Sequence, residues 1–148
     1  MIQEAKKAFA KADHLIYMTY PNIKEVKLLY SAVESLNSAM QKALESLLIH
    51  EQTHKRISQV PKDLNSKLLI YNNYCKKHGF PQEAAFLIRE LAKIVKARKE
   101  APMEFVRKNK FVICSDDYRM KVIDEKTIKK YLILSRSFIT KVEKHING

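Results

Sequence analysis

The chain has only two glycines and four prolines in 148 residues. A β-sandwich or barrel needs a turn signal every ~8–12 residues, so an all-β fold is excluded. A Walker or dinucleotide phosphate loop needs more glycine than this chain owns. Long apolar runs are missing as well. The longest, 84–88, is five residues, far short of a membrane span. The N-terminus, Met1-Ile2-Gln3-Glu4-Ala5-Lys6-Lys7, has no apolar signal-peptide core. Cysteine is scarce: Cys75 and Cys114 stand 39 positions apart. Without an export signal they read as reduced thiols of a cytoplasmic protein with no membrane partner.

What is present is apolar material and positive charge. The chain is 46% hydrophobic and 30% charged, enough to build a core. No repeat, linker or low-complexity tract divides it, so residues 1–148 read as a single domain.

Apolar residues recur at helical spacing through most of the length. Ile2, Ala5, Phe9, Ala12 and Ile16 form one stripe, giving a first helix over 2–18 that Tyr20-Pro21 should end. Asn22, with Glu25 three positions on, is a capping-box pattern. It should open a long second helix over 23–57, striped by Leu29, Val33, Leu36, Met40, Ala43 and Leu47. Asp63 can cap a third helix carrying Leu64, Leu68, Leu69, Tyr71, Tyr74 and Cys75, stopped by Gly79. Pro81 then opens a fourth, striped by Ala84, Leu87, Leu91 and Val95 and widened by Ile88 and Ile94. The helical period stops near Glu100-Ala101-Pro102. Phe111-Val112-Ile113-Cys114 is rich in strand formers, Ser115-Asp116-Asp117 is a turn cluster, and Tyr118, Met120 and Val122 alternate with Arg119 and Lys121. That pattern predicts a β-hairpin, 110–115 against 118–123. Asp124 caps a last helix to about residue 146, with Ile128, Tyr131, Leu132, Ser135, Phe138, Ile139 and Val142 inward. The expected architecture is mainly α: a five-helix antiparallel bundle with a small β-hairpin before the last helix.

Charge carries the functional signal. The formal net charge is +12, of which residues 75–148 hold +9. Such a field favours polyanions. From Lys93 to Lys110 the chain carries Lys93, Lys96, Arg98, Lys99, Arg107, Lys108 and Lys110 against only Glu100 and Glu104. Arg119, Lys121 and Lys130 extend this set, as do Lys126 and Lys129. If the hairpin folds beside the end of helix four, these side chains form a phosphate-binding surface for RNA or another polyanion. Phe111, Tyr118 and Tyr131 are interleaved as stacking candidates, or as core.

A second string is His50-Glu51-Gln52-Thr53-His54. Histidines at i and i+4 share a helix face and can grip one Zn²⁺ while Glu51 activates water, a zinc-hydrolase arrangement. The third ligand such a site needs has no sequence signature here. The bland alternative is a surface histidine pair with Lys55 and Arg56 beside it. Cys75 beside Lys76 and Lys77 has the setting of a lowered thiol pKa, but its place on the apolar side favours burial. Asp116-Asp117 reads as a polar turn, with a divalent ion as the alternative.

The helical part, residues 1–100, resembles the HEPN superfamily. The likeness rests on the long central helix with Leu36, Met40, Ala43, Leu44, Leu47 and Leu48, following Lys11-Ala12-Asp13-His14-Leu15. It implies a compact, largely up-and-down helical bundle of a kind that often dimerises and serves in RNA cleavage, toxin–antitoxin pairs and nucleotide-related systems. That family's nuclease signature is an arginine, four to six residues, then a histidine. No arginine here stands at that spacing before His14, His50, His54, His78 or His145. The ribonuclease residues therefore do not carry over. The expected function is a non-catalytic RNA-binding module. The alternatives are a helical module that docks a protein partner or forms a homodimer, and a zinc enzyme through His50 and His54.

Overall fold

A computed structural model describes residues 1–101, 103–114 and 119–148, with every side chain there except that of Cys75. The chain is mainly helical. Among the described residues five helical rods surround or flank a small antiparallel sheet. Helix α1 begins as Ile2–His14, passes through a π-helical stretch, Leu15–Thr19, and finishes as a single turn, Tyr20–Ile23. Helices α2 (Lys27–Thr53), α3 (Leu64–His78) and α4 (Gln82–Glu100) follow. Strands β1 (Met103–Arg107), β2 (Lys110–Cys114) and β3 (Met120–Ile123) precede helix α5 (Glu125–Asn147).

The first helix does not end where Tyr20-Pro21 predicts. Tyr20 keeps helical dihedrals, φ −60° and ψ −45°, and is buried. A proline inside a helix loses one N–H and crowds the carbonyl four residues back. The π-helical turn widens the ladder just before Pro21, with the Tyr20 N–H donating to Leu15 O. Asn22 is consequently no cap for α2. It lies in the last turn of α1 and its Nδ2 donates to Met18 O at 2.8 Å. The break comes at Lys24, in the left-handed region at φ 54°.

Helix α2 is the element the others pack on. It touches α1, α3, α4 and α5, and also β2. All six residues of its predicted stripe are buried, and so are Tyr30, Ala32, Ala39, Leu44 and Leu48 on neighbouring faces. A helix apolar over most of its circumference is a central one. It stops at Thr53, four residues before the expected end, because Lys55 turns left-handed at φ 59° and the Arg56 N–H folds back to Glu51 O at 2.9 Å.

The remaining helix boundaries follow their signals. Asp63 accepts from the Ser66 N–H at 2.9 Å and Asp124 from the Thr127 N–H at 2.8 Å. Gly79 ends α3 at φ 70°, where a side chain would be strained. Leu68 and Tyr71 of α3 are buried, whereas Leu69 lies exposed.

The hairpin is there, with Phe111 opposite Ile123 and Cys114 opposite Met120. Its predicted turn, Ser115-Asp116-Asp117, lies outside the described residues, and so does Tyr118. A third strand was not foreseen. β1 pairs antiparallel with β2, Phe105 opposite Val112, through a two-residue turn at Lys108-Asn109 with Lys108 at φ 55°. That turn has no glycine, and adjacent Phe105 and Val106 break period-two alternation in β1, so the turn's one local signal is Asn109. Phe111, Ile113 and Ile123 point from the sheet into the helical core.

Each N-cap should be separable from the rest. Asp124→Ala is expected to cost about 1 kcal/mol of folding free energy, read from the midpoint of a urea melt.

Candidate functional site

Side chains alternate across a strand, so the register assigns each residue of the sheet to a face. Phe111, Ile113 and Ile123 occupy the inner face. The outer face carries Met103, Phe105, Arg107, Lys110, Val112, Met120 and Val122. Val112 is buried beneath its neighbours, whereas Phe105 is 36% exposed, Met120 57% and Val122 48%. Together with Arg107, Lys108 and Lys110 they line a shallow groove of about 250 Å³. The result is an exposed aromatic and aliphatic floor with three cationic side chains at one end.

The other predicted cations fall elsewhere. Lys93, Lys96 and Lys99 are exposed on α4. Lys130 lines a separate groove with Glu125, Lys126, Lys129 and Ile133. Arg119 is exposed just before β3. Two of the set hold the fold together. Arg98 pairs with Glu104 at 2.9 Å, and its guanidinium lies 4.3 Å from the centre of the Tyr30 ring and 5.9 Å from that of Phe111. It thereby ties α4, β1 and the start of α2 to the sheet. Lys121 pairs with Glu90 at 3.1 Å, joining β3 to α4. Of the stacking candidates, Phe111 is buried against Tyr30, Tyr131 is half-buried, and Tyr118 and Asp116-Asp117 lie outside the described residues. The exposed aromatic of the basic groove is Phe105, which sequence reasoning missed because β1 itself was missed.

A second constellation lies at the other end of α2. Tyr30, against the sheet, and Glu51 are 21 residues apart, about 30 Å along a helix. Glu51 is fully buried. Arg56 donates to its carboxylate from the turn after α2, through Nε to Oε2 and through Nη2 to Oε1 at 3.3 Å. The Tyr74 hydroxyl on α3 donates to Oε2. His145 Nε2, near the end of α5, lies 2.6 Å from Oε1. Burial pushes the Glu51 pKa up, but the hydrogen bonds from Arg56, Tyr74 and His145 outweigh it and hold the carboxyl at about 2. Burial and the adjacent Glu51 carboxylate push Tyr74 up to about 12.

Histidines gather around this carboxylate. The His50 ring lies 4.3 Å from that of His54 and 5.4 Å from that of His145, centre to centre. His78, stacked on Tyr74 at 4.5 Å, lies 5.9 Å from His145. Four of the five histidines thus meet in one place. Burial and the neighbouring His54 hold the His50 pKa below its ordinary value. His54 itself is exposed. Both oxygens of Glu51 are engaged by protein donors, unlike the free general base of a zinc hydrolase. No protein-family model, characterised protein or solved structure matches this chain.

Glu51→Gln is expected to lower stability by about 3 kcal/mol near neutral pH, since it removes a buried charge with three donors. Glu51 has its folded-state pKa depressed, so its contribution is present above the ordinary carboxylate range, about 4.5, and is lost as pH falls toward about 2. Urea melts of the two proteins should therefore differ most near neutrality and converge in acid.

Proposed function

We propose that this chain is a non-catalytic RNA-binding module of the cytoplasm that uses the outer face of its sheet. The observation that carries the reading is the placement of an exposed Phe105 among Met120, Val122, Arg107, Lys108 and Lys110. Base stacking needs an accessible π face, and backbone binding needs cations within reach of it. An aromatic floor with a cationic end supplies both to an unpaired strand. Lys93, Lys96 and Lys99 on α4 add positive field without a shaped contact, which raises the encounter rate more than the lifetime.

The preference for RNA over a purely electrostatic role rests on Phe105. Cations alone would accept any polyanion. On this reading the helical part is a HEPN-like antiparallel up-and-down bundle, and the sheet is the addition that binds. Arg98 and Lys121 then act as positioning residues, holding the sheet against α4 through Glu104 and Glu90.

Filter binding of a mixed single-stranded RNA pool across a salt series tests this. Affinity should fall as salt rises. Replacing Arg107, Lys108 and Lys110 together by glutamine should flatten the log–log slope by about 2, at about 0.7 per phosphate lost. Phe105→Ala should cost about 1–3 kcal/mol of binding with the slope unchanged. Lys62→Gln, in the loop before α3, should change neither. Binding that is undetectable at low salt, or indifferent to salt, defeats the proposal.

A further inference from the structure

The cluster at the far end of α2 has a chemistry of its own, independent of the sheet. We infer that His50, Glu51 and His145 form a binding site for one divalent transition-metal ion of the zinc class, clasping the end of α2 to the end of α5. The ligand atoms of these three side chains all lie within 4.8 Å of one another. Three groups so close can converge on one ion at the usual zinc distances, about 2.0–2.2 Å, with only small side-chain movement. The contact between His145 Nε2 and Glu51 Oε1 is a place where a metal ion can replace a shared proton.

The donor set fits the metal class. Two imidazoles and one carboxylate suit zinc, cobalt or nickel, whereas magnesium and calcium prefer all-oxygen sites. Groups that orient the carboxylate are also in place: Tyr74 holds Oε2, and Arg56 reaches both oxygens. The Arg56 charge opposes an incoming cation, so the site should hold its ion less tightly than the same ligands would without it. His54, one turn from His50, and solvent are the two sources of a fourth ligand.

This site differs from the one the His50-Glu51-Gln52-Thr53-His54 string suggests. There the ligands are His50 and His54, and Glu51 is a base. Here Glu51 is a ligand and the second histidine comes from 94 residues away. The role is to lock α5 against α2, because both chain segments must be in place before the ion has three ligands. Metal bound only to the folded state raises its stability by mass action.

The experiment uses the full chain, free of any histidine tag and stripped with a chelator. Zn(II) and Co(II) are titrated by calorimetry and, for Co(II), by visible absorption. The unmodified protein should bind one ion, show Co(II) ligand-field bands, and melt at a higher temperature with Zn(II). His145→Gln keeps a polar partner for Glu51 but removes the imidazole. It should lower affinity by about tenfold or more and abolish the thermal shift. His50→Ala, at a side chain without a hydrogen bond to Glu51, should do the same, which covers a folding failure of the first variant. His54→Ala should lower affinity less than either. Four outcomes overturn the inference. One is no saturable binding. Another is equal binding of Mg(II). A third is binding that survives His145→Gln and His50→Ala. The last is binding lost with His54→Ala but kept with His145→Gln, which would place the ion on the exposed pair.

Discussion

A carboxylate removed from water is tolerated only where donors replace its hydration, and Glu51 draws three of them from three different segments. Arg56 comes from the turn after α2, Tyr74 from α3 and His145 from the end of α5. Desolvation alone would drive the group toward its neutral form; the donors reverse that and hold it ionised. Each donor must therefore be delivered to the same point. This couples the early stop of α2, the path of the α2–α3 loop, the rotation of α3 and the last turn of α5. The interaction is less a source of net stability than a specification of register, since an apolar residue would fill the same space without demanding particular partners.

At the opposite end of α2 the governing requirement is apolar. A three-stranded sheet on its own is marginal, and this one gains stability by turning Phe111, Ile113 and Ile123 onto the helices. Period-two alternation then forces the neighbouring residues outward, which is why Phe105, Met120 and Val122 are exposed beside Arg107 and Lys110. Arg98 and Lys121 fasten the sheet laterally to α4. The two ends are thus built differently: one organised by a buried charge, the other by a buried sheet face whose reverse side is left open.

Much of this was legible in the residue order. The stripe of α2, the caps at Asp63 and Asp124, the stop at Gly79 and the pairing of 111–114 with 120–123 all follow local chemistry. Some signals misled. Pro21 reads as a terminator, yet a π-helical turn absorbs it because Tyr20 is held in the core. Strand β1 offers one turn residue, Asn109, and an alternation broken at Phe105-Val106, too weak a pattern to place Phe105 on a sheet. Glu51 did leave a trace: it sits four residues after Leu47, where the apolar stripe would continue. In the same way His145 stands three residues after Val142 on the inner face of α5. A polar residue that continues an apolar stripe is a signal of a satisfied buried group.

The amino-acid order by itself determined the helical character, most of the element boundaries and the excess of positive charge in the second half, because each depends on neighbours within a few residues. The tertiary structure alone decided which charges are free to act. Arg98 and Lys121 are consumed by carboxylates across the fold, while Arg107, Lys108 and Lys110 remain around an open groove. It also decided that His50 meets His145 rather than standing only beside His54. Those outcomes depend on groups far apart in sequence brought together by packing, and no local pattern encodes a distance between segments that only the folded core sets.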